Sequence, residues 1–352
     1  MRIVHEPALD FSDVLIQPKR SFGIESRSQI KVNRPFKFLH SETEYDSIPI
    51  IAANMDTVAT TSMASALLKH NISTALHKHY SSKELIEFFT GYNNKRRSQL
   101  SIAPIFYTMG TSTGEYDKFT ELTNQTHIPY VCIDNANGYT EKFNDFIKYF
   151  RENNPTVTIM AGNVVSPEMT EQLLISGADI VKCGIGSGSS CITRKVTGVG
   201  LPQLSATIEC ADAAHGIRGH ICSDGGMTSS GDIVKAFAGG ADFVMLGGML
   251  SGHKEIGLPE IVIDDKEFYE FYGMSSSSAM EKHVGHVASY RAPEGKRVLI
   301  PAKGSVDKTI NSILGGIRSA CTYVGASELK ELSKCTTFRL VNNQLNTIYG
   351  DS

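Results

Sequence analysis

Residues 156–188 read TVTIMAGNVVSPEMTEQLLISGADIVKCGIGSG. The stretch opens and closes on short apolar, β-branched runs, 156–163 and 178–186, each ending in Gly or a polar residue. Between them, Ser166-Pro167 places a capping hydroxyl before a proline at the first helical position. Both runs are apolar on both faces, which suits a fully buried parallel sheet. Working outward, similar runs occupy 48–54, 72–78, 103–110 and 127–135 on one side, and 219–226 and 241–248 on the other. Helix patterns lie between them. Met63, Ala64, Leu67 and Leu68 share one helical face, as do Ile233, Val234 and Phe237 ahead of a Gly239-Gly240 stop, and Ser81 with Glu84 has capping-box spacing. Strand and helix alternating eight times predict an α/β fold, a (β/α)8 barrel.

A doubly wound sheet also alternates, but it carries a glycine fingerprint after its first strand, where this chain reads Ala52-Ala53-Asn54-Met55-Asp56. A barrel instead predicts polar residues at the C-terminal end of every strand, where active sites are assembled. Those ends read Asn54 and Asp56, His77-Lys78-His79, Gly110-Thr111, Asp134-Asn135, Gly162-Asn163, 184–188, 223–226 and Gly247-Gly248. With no linker to a second domain, residues 1–352 read as one barrel domain with an N-terminal extension over 1–47. The stretch 251–305, after strand eight, is too long for an ordinary loop and reads as a lid or flap. Its portion Gly273-Met274-Ser275-Ser276-Ser277-Ser278 reads as mobile.

Composition narrows the function. With 41% hydrophobic and 20% charged residues, 31 Gly and 12 Pro, the chain is a globular protein rather than a disordered or fibrous one. A formal charge of −3 offers no basic field for a nucleic-acid backbone. No apolar run reaches the ~18 residues of a membrane helix, and the first residues mix acids with apolars, so the expected location is cytoplasmic, without membrane contact. The seven cysteines form no CxxC pair, which argues against a disulfide framework and a zinc site.

The chemistry concentrates after strand six, where 184–194 reads GIGSGSSCITR. Glycines let a ligand approach the backbone closely. Cys191 follows them at the active face, where aligned N–H groups or Arg194 and Lys195 would favour a nucleophilic thiolate; a buried, inert cysteine is the competing reading. Cys183 and Cys222, inside strands, suit the inert reading. The glycine pairs Gly225-Gly226 and Gly247-Gly248 end strands seven and eight, where barrels commonly build a phosphate site. Asp224, just before the first pair, suits a ribose diol. Lys78, Asp134 and Asn135 surround the mouth, whereas His77 and His79 are expected on opposite faces of an extended segment, as structural histidines. Taken alone, Glu294 in YRAPEG (290–295) reads as a solvated lid charge.

At these residues the chain resembles the IMP dehydrogenase/GMP reductase family, and its reductase branch in particular, over nearly the whole length. The carrying segments are IAANMDT (51–57), HKHY (77–80), CID (132–134), ANGY (136–139), AGNVV (161–165), the Cys191 loop with TGVG (197–200), ECADAAHG (209–216), SDGG (223–226), VMLGGML (244–250), FYGMSS (271–276) and ACTYVGA (320–326). The resemblance implies NADPH-dependent reductive deamination of GMP to IMP and ammonia on a homotetramer of barrels, serving purine salvage. It implies that Cys191 forms a covalent thioimidate at C2 of the purine while Thr193 and Glu294 handle protons for ammonia departure. It places GMP on Ser189, Asp224, Gly225, Gly226, Gly247, Gly248, Gly273, Met274, Ser275, Arg291 and Gly295. NADPH falls to Lys78, Asp134, Asn135, Ala136, Ile185 and Gly186, with Ser26 and Arg27 reaching the adenine end from a neighbouring subunit. It also suggests a potassium ion around Gly186, Gly188, Cys191 and Arg194.

Two residues depart from the family pattern: Ser187 stands where proline is usual, and Ile192 where threonine is usual. Only residues 81–100 separate strands two and three, so the paired regulatory module of IMP dehydrogenases has no place there. The lid reads Arg291-Ala292-Pro293-Glu294, without the Arg-Tyr dyad that activates water in the dehydrogenases. The alternatives are dehydrogenase-like oxidation of IMP to XMP through the same cysteine, and a silent purine-nucleotide sensor whose loop Ser187 and Ile192 have disabled.

Overall fold

The computed structural model describes residues 3–98, 102–285 and 292–342. All eight runs form strands: β1 Glu44–Ala52, β2 Ile72–Leu76, β3 Ile105–Met109, β4 Tyr130–Asp134, β5 Thr158–Val164, β6 Ile180–Cys183, β7 His220–Asp224 and β8 Phe243–Leu246. They pair in parallel in sequence order, and β8 returns to β1 with Val244 opposite Ile50 and Leu246 opposite Ala52. The sheet is therefore a closed (β/α)8 barrel. Its helices are α1 Thr61–Leu67, α2 Ser82–Ser98, α3 Thr113–Thr123, α4 Glu141–Asn153, α5 Pro167–Ile175, α6 Gln203–Gly216, α7 Ser230–Ala238 and α8 Val306–Val324. Among the described residues no helix is long and apolar enough to cross a membrane.

Each helix buries the stripe its sequence presents. In α4 the buried residues Phe143, Ile147 and Phe150 follow the helical repeat, and each such side chain removed from water contributes roughly 1.5–3 kcal/mol. Ser81 and Glu84 make the expected box before α2. Ser166 differs: Pro167 does open α5, but the Ser166 hydroxyl accepts from Tyr139 and caps nothing. β1 also starts before residue 48, because residues 44–47 pair antiparallel with Arg34–Lys37 of the extension.

Alternate strand residues fill the barrel, among them Ile51, Ala75, Phe106, Cys132, Met160, Ile180, Cys222 and Met245. Phe36 and Phe38 of the extension close the N-terminal end of the strands, packing edge-on or tilted against Tyr45, His220 and Phe243. A short motif recurs here: Gly177-Ala178-Asp179-Ile180-Val181 leads into β6 and Gly240-Ala241-Asp242-Phe243-Val244 into β8. Both aspartates are buried and do the same work. Asp179 accepts from Ile159 N and Arg151, Asp242 from Ile221 N and Arg34, so each ties the preceding strand to an arginine.

The stretch after β8 is built, not loose. Strands β9 Ile261–Ile263, β10 Lys266–Tyr272 and β11 Arg297–Pro301 form an antiparallel sheet, and a helix spans Ser277–Val284. The serine run read as mobile is pinned: Gly273 N donates to Lys296 O, Ser276 N to Gly273 O, and the buried Ser276 hydroxyl caps the helix by accepting from Ala279 N.

Candidate active site

The C-terminal strand ends converge as a barrel requires, and the flap folds back over them. Cys191 Sγ donates to Thr193 Oγ1 at 3.2 Å, and Thr193 Oγ1 donates to Glu294 Oε2 at 2.7 Å. The chain from thiol to carboxylate is held from both ends by backbone. Ile192 N donates to Glu294 O at 2.8 Å, Lys296 N to Ser190 O at 2.8 Å, and Cys191 bridges to Gly295 in antiparallel fashion. The cysteine loop and the flap are thus one piece of β-structure here. Cys191 is half-buried, whereas Cys183 and Cys222 are buried and burial pushes the Cys222 thiol well above its ordinary value. Arg194 does not face the thiol: its guanidinium donates to Asp10 and to Leu201 O, so it is not the cation that activates Cys191.

These residues line a cleft of about 230 Å³ with Asp134, Ala136, Ile185, Gly186, Asp224, Gly273, Met274, Ser275 and Gly295, bringing together residues assigned to substrate and to cofactor. Lys182, which sequence reasoning missed, lines it too, as do Asn54 and Asn163, which it put at the active face without a role. Lys182 follows Ile180 on the inner face of β6 and is buried. Its Nζ donates to Asp134 Oδ1 at 2.5 Å and Asn54 Oδ1 at 3.3 Å, and lies 3.3 Å from Asp224 Oδ2. Burial opposes its charge, but the two carboxylates outweigh burial and hold Lys182 protonated well above the ordinary lysine range. Asn163 Nδ2 donates to Asp224 Oδ2 at 2.9 Å. Gly162 is glycine because a Cβ there would stand 2.5 Å from Lys182 Cβ. A charged residue inside an apolar strand was the available signal.

A second cleft, about 380 Å³, is lined by Ser189, Thr228, Gly248, Lys296 and Lys303 among others. Ser190 faces the first cleft and Ser189 the second, so one loop serves both. Gly225, at φ +92°, lets the β7 end approach that loop, since a Cβ would meet Ser187 Oγ at 2.7 Å. The Ser187 hydroxyl donates to Asp224 O at 3.0 Å, a tether that proline would lack. Lys296 and Lys303 also escaped the sequence reading, for lysines on a flap carry no signal of where they point.

Other expected residues stand elsewhere. Gly226 packs on Gln203 and Gly247 on Met55, while Gly188 O accepts from Cys191 N within the loop. Asn135 lines neither cleft; its backbone pairs with Gly162 and Asn163. Lys78 pairs with Glu115 at 2.8 Å, and despite partial burial the Lys78, Ser112 and Gly110 donors hold the Glu115 carboxyl at about 2. Ser26 and Arg27 belong to an exposed turn, Ser26 accepting from Ser28 N, and line neither cleft. Arg291 lies outside the described residues.

His77 and His79 are not on opposite faces. The segment turns, and both line one cavity with their rings 6.1 Å apart. Burial lowers each to about 4, so both are neutral at pH 7. Among the described residues no group of His, Cys, Asp and Glu is arranged to hold a metal. His79 stacks on His283 of the flap at 3.4 Å, and buried Asp56 accepts from Tyr272 at 2.6 Å, Lys282 at 2.9 Å and His283 at 2.8 Å. Burial would raise the Asp56 carboxyl, and these three donors override it and hold it low. Asp56 is therefore the anchor of the flap. Asp56→Asn is expected to weaken docking by about 1–3 kcal/mol, seen as faster amide hydrogen exchange in residues 273–284 with the barrel unchanged. Equal protection in both proteins would refute the anchor.

Comparison with known proteins agrees with this geometry. Residues 8–346 match the IMP dehydrogenase / GMP reductase domain. The chain is 55% identical over 352 residues to the GMP reductase of Shigella boydii serotype 4, covering 100% of both chains. It is 54% identical over 351 residues to that of Shewanella pealeana and 52% to that of Aeromonas salmonicida, each over 99% of both chains. The chain, with its cysteine loop spliced to a flap above a closed barrel, belongs to the IMP dehydrogenase / GMP reductase family.

Proposed function

We propose that the protein is an oxidoreductase that converts GMP irreversibly to IMP and ammonia with NADPH. The observation that carries this reading is the hydrogen-bonded chain Cys191–Thr193–Glu294 in the cleft. Cys191 Sγ attacks C2 of the guanine, and Thr193 and Glu294 relay the proton that lets the 2-amino group leave as ammonia, since an amine departs poorly unless protonated. The product of this step is a thioimidate on Cys191. Reduction at C2 then breaks the C–S bond and returns the thiolate. The cofactor would be held by Asp134, Ala136, Ile185 and Gly186, which continue the cleft beyond Cys191, and when bound it supplies the hydride. Lys78 would reach it after parting from Glu115.

Asp224 suits the ribose, and the second cleft, with Ser189, Gly248 and two lysines, suits the phosphate. A potassium ion around Gly186, Gly188, Cys191 and Arg194 fits the neutral oxygens there; those of Gly188 and Arg194 each accept one N–H and keep a second lone pair. The whole chain acts as one barrel domain with its extension and flap, as a cytoplasmic homotetramer in which Ser26 and Arg27 serve the neighbour's cofactor. The silent-sensor alternative needs a disabled loop. Ser187 instead tethers the loop, and Ile192 N keeps its bond to the flap.

The test mixes purified protein, GMP and NADPH and follows reduced-nicotinamide absorbance with IMP and ammonia assayed together. Equal amounts of all three changes are expected. No oxidation with GMP bound would defeat the proposal, and XMP formed from IMP and NAD would replace it with the dehydrogenase.

A further inference from the structure

We propose that Lys182 is a positioning residue that couples the two ligand subsites, because one ammonium is shared between the carboxylate facing the cofactor, Asp134, and the carboxylate facing the ribose, Asp224. The inference rests on the ligand assignments proposed above, but its physical content is in the packing. The buried ammonium donates to Asp134, to Asn54 and, at 3.9 Å, to Met245 Sδ, and it is ion-paired with Asp224 at 3.3 Å. The contact with Asp134 is the tighter, 2.5 Å against 3.3 Å, so the two carboxylates compete for one cation. Gly162 crowds against the lysine stem and leaves it little room to move away.

A ribose diol binding at Asp224 would donate hydrogen bonds to that carboxylate and relieve its need for the ammonium. Lys182 then belongs wholly to Asp134, which is fixed for the cofactor. GMP therefore tightens cofactor binding, and by linkage the cofactor tightens GMP by the same factor. Without the lysine, two carboxylates face one cleft with no cation between them, and both subsites are disturbed by their repulsion.

The experiment measures dissociation constants for GMP and for NADP⁺, the non-reducing cofactor, each alone and with the other saturating. Wild-type protein is expected to show mutual tightening of at least about fivefold. Lys182→Met is expected to abolish the tightening and to weaken GMP alone by about tenfold or more. Lys182→Met/Asp134→Asn restores the net charge, so GMP binding should recover while the coupling stays lost. A merely structural lysine would give no such charge-dependent recovery. Lys182→Gln reads the same quantities if the Met variant does not fold. A wild type without tightening, or a variant that keeps it within about twofold, overturns the inference. Failure of the functional reading is distinct, since it shows as wild-type protein that oxidises no NADPH with GMP.

Discussion

Cys191→Ala is expected to lower GMP-dependent NADPH oxidation by at least about ten-thousand-fold, to the assay background, while GMP still binds. The reason is geometric. The thiol is half-buried in the cleft, and no other described cysteine lines that cleft. Trimming one sulfur leaves Asp224, the glycine turns and both flap lysines in place, so binding survives. Thr193→Ala and Glu294→Gln each break the same relay one bond later, and each should slow ammonia release by about a hundred- to ten-thousand-fold. Because 3.2 Å and 2.7 Å bonds join the three groups into one unit, the Thr193→Ala/Glu294→Gln double variant should be scarcely slower than the worse single one. Simple multiplication of the two defects would show that they act separately. Undiminished turnover in Cys191→Ala would remove the covalent step altogether.

The second large effect concerns stability. Asp242→Asn should cost about 3 kcal/mol, read as a lower urea midpoint at an unchanged slope. Asp242 is 1% exposed and receives Arg34 Nη2 at 2.7 Å, His215 Nε2 at 2.9 Å and Ile221 N at 3.1 Å. Burial alone would raise its carboxyl, but the His215 hydrogen bond and the nearby charges of His220 and Arg34 hold it far below the carboxylate range. A depressed folded pKa gives stability that is present above the ordinary value near ~3.9 and is lost as pH falls through the folded one. His215 is raised, chiefly by its bond to Asp242. Its share is complete below the ordinary histidine value near ~6.5 and fades as pH rises through the folded value. The gap between wild type and variant should thus be widest between about pH 4 and 6.5. A gap that does not change with pH would mean that the two ionisations do not differ between folded and unfolded chains.

The eight strands were legible because strands buried on both faces are written as unbroken apolar runs, and Cys191 was legible because it follows glycines at a strand end. Glu294 was not legible by itself: nothing in YRAPEG announces a partner at Thr193, and the family resemblance supplied it. Lys182 was hidden because its meaning lies in Asp134 and Asp224, 48 and 42 positions away, and only barrel closure brings them together. Ser276 reads as a flexible serine but caps a helix, a distinction that depends on Gly273 finding Lys296. His77 and His79 were misplaced because the two-residue alternation holds only while the chain stays extended, and here it turns.

The floor of the barrel sets an order of events during synthesis. Phe36 and Phe38 leave the ribosome well before their packing partners His220 and Phe243, and Arg34 meets Asp242 across 208 positions. The seam between β1 and β8 closes at the same late moment. A nascent chain that ends before β7 therefore carries an unsealed barrel edge and two phenylalanines that lack His220 and Phe243. Sealing that edge therefore waits on β8, and until then the edge of β1 is open to pairing with other chains.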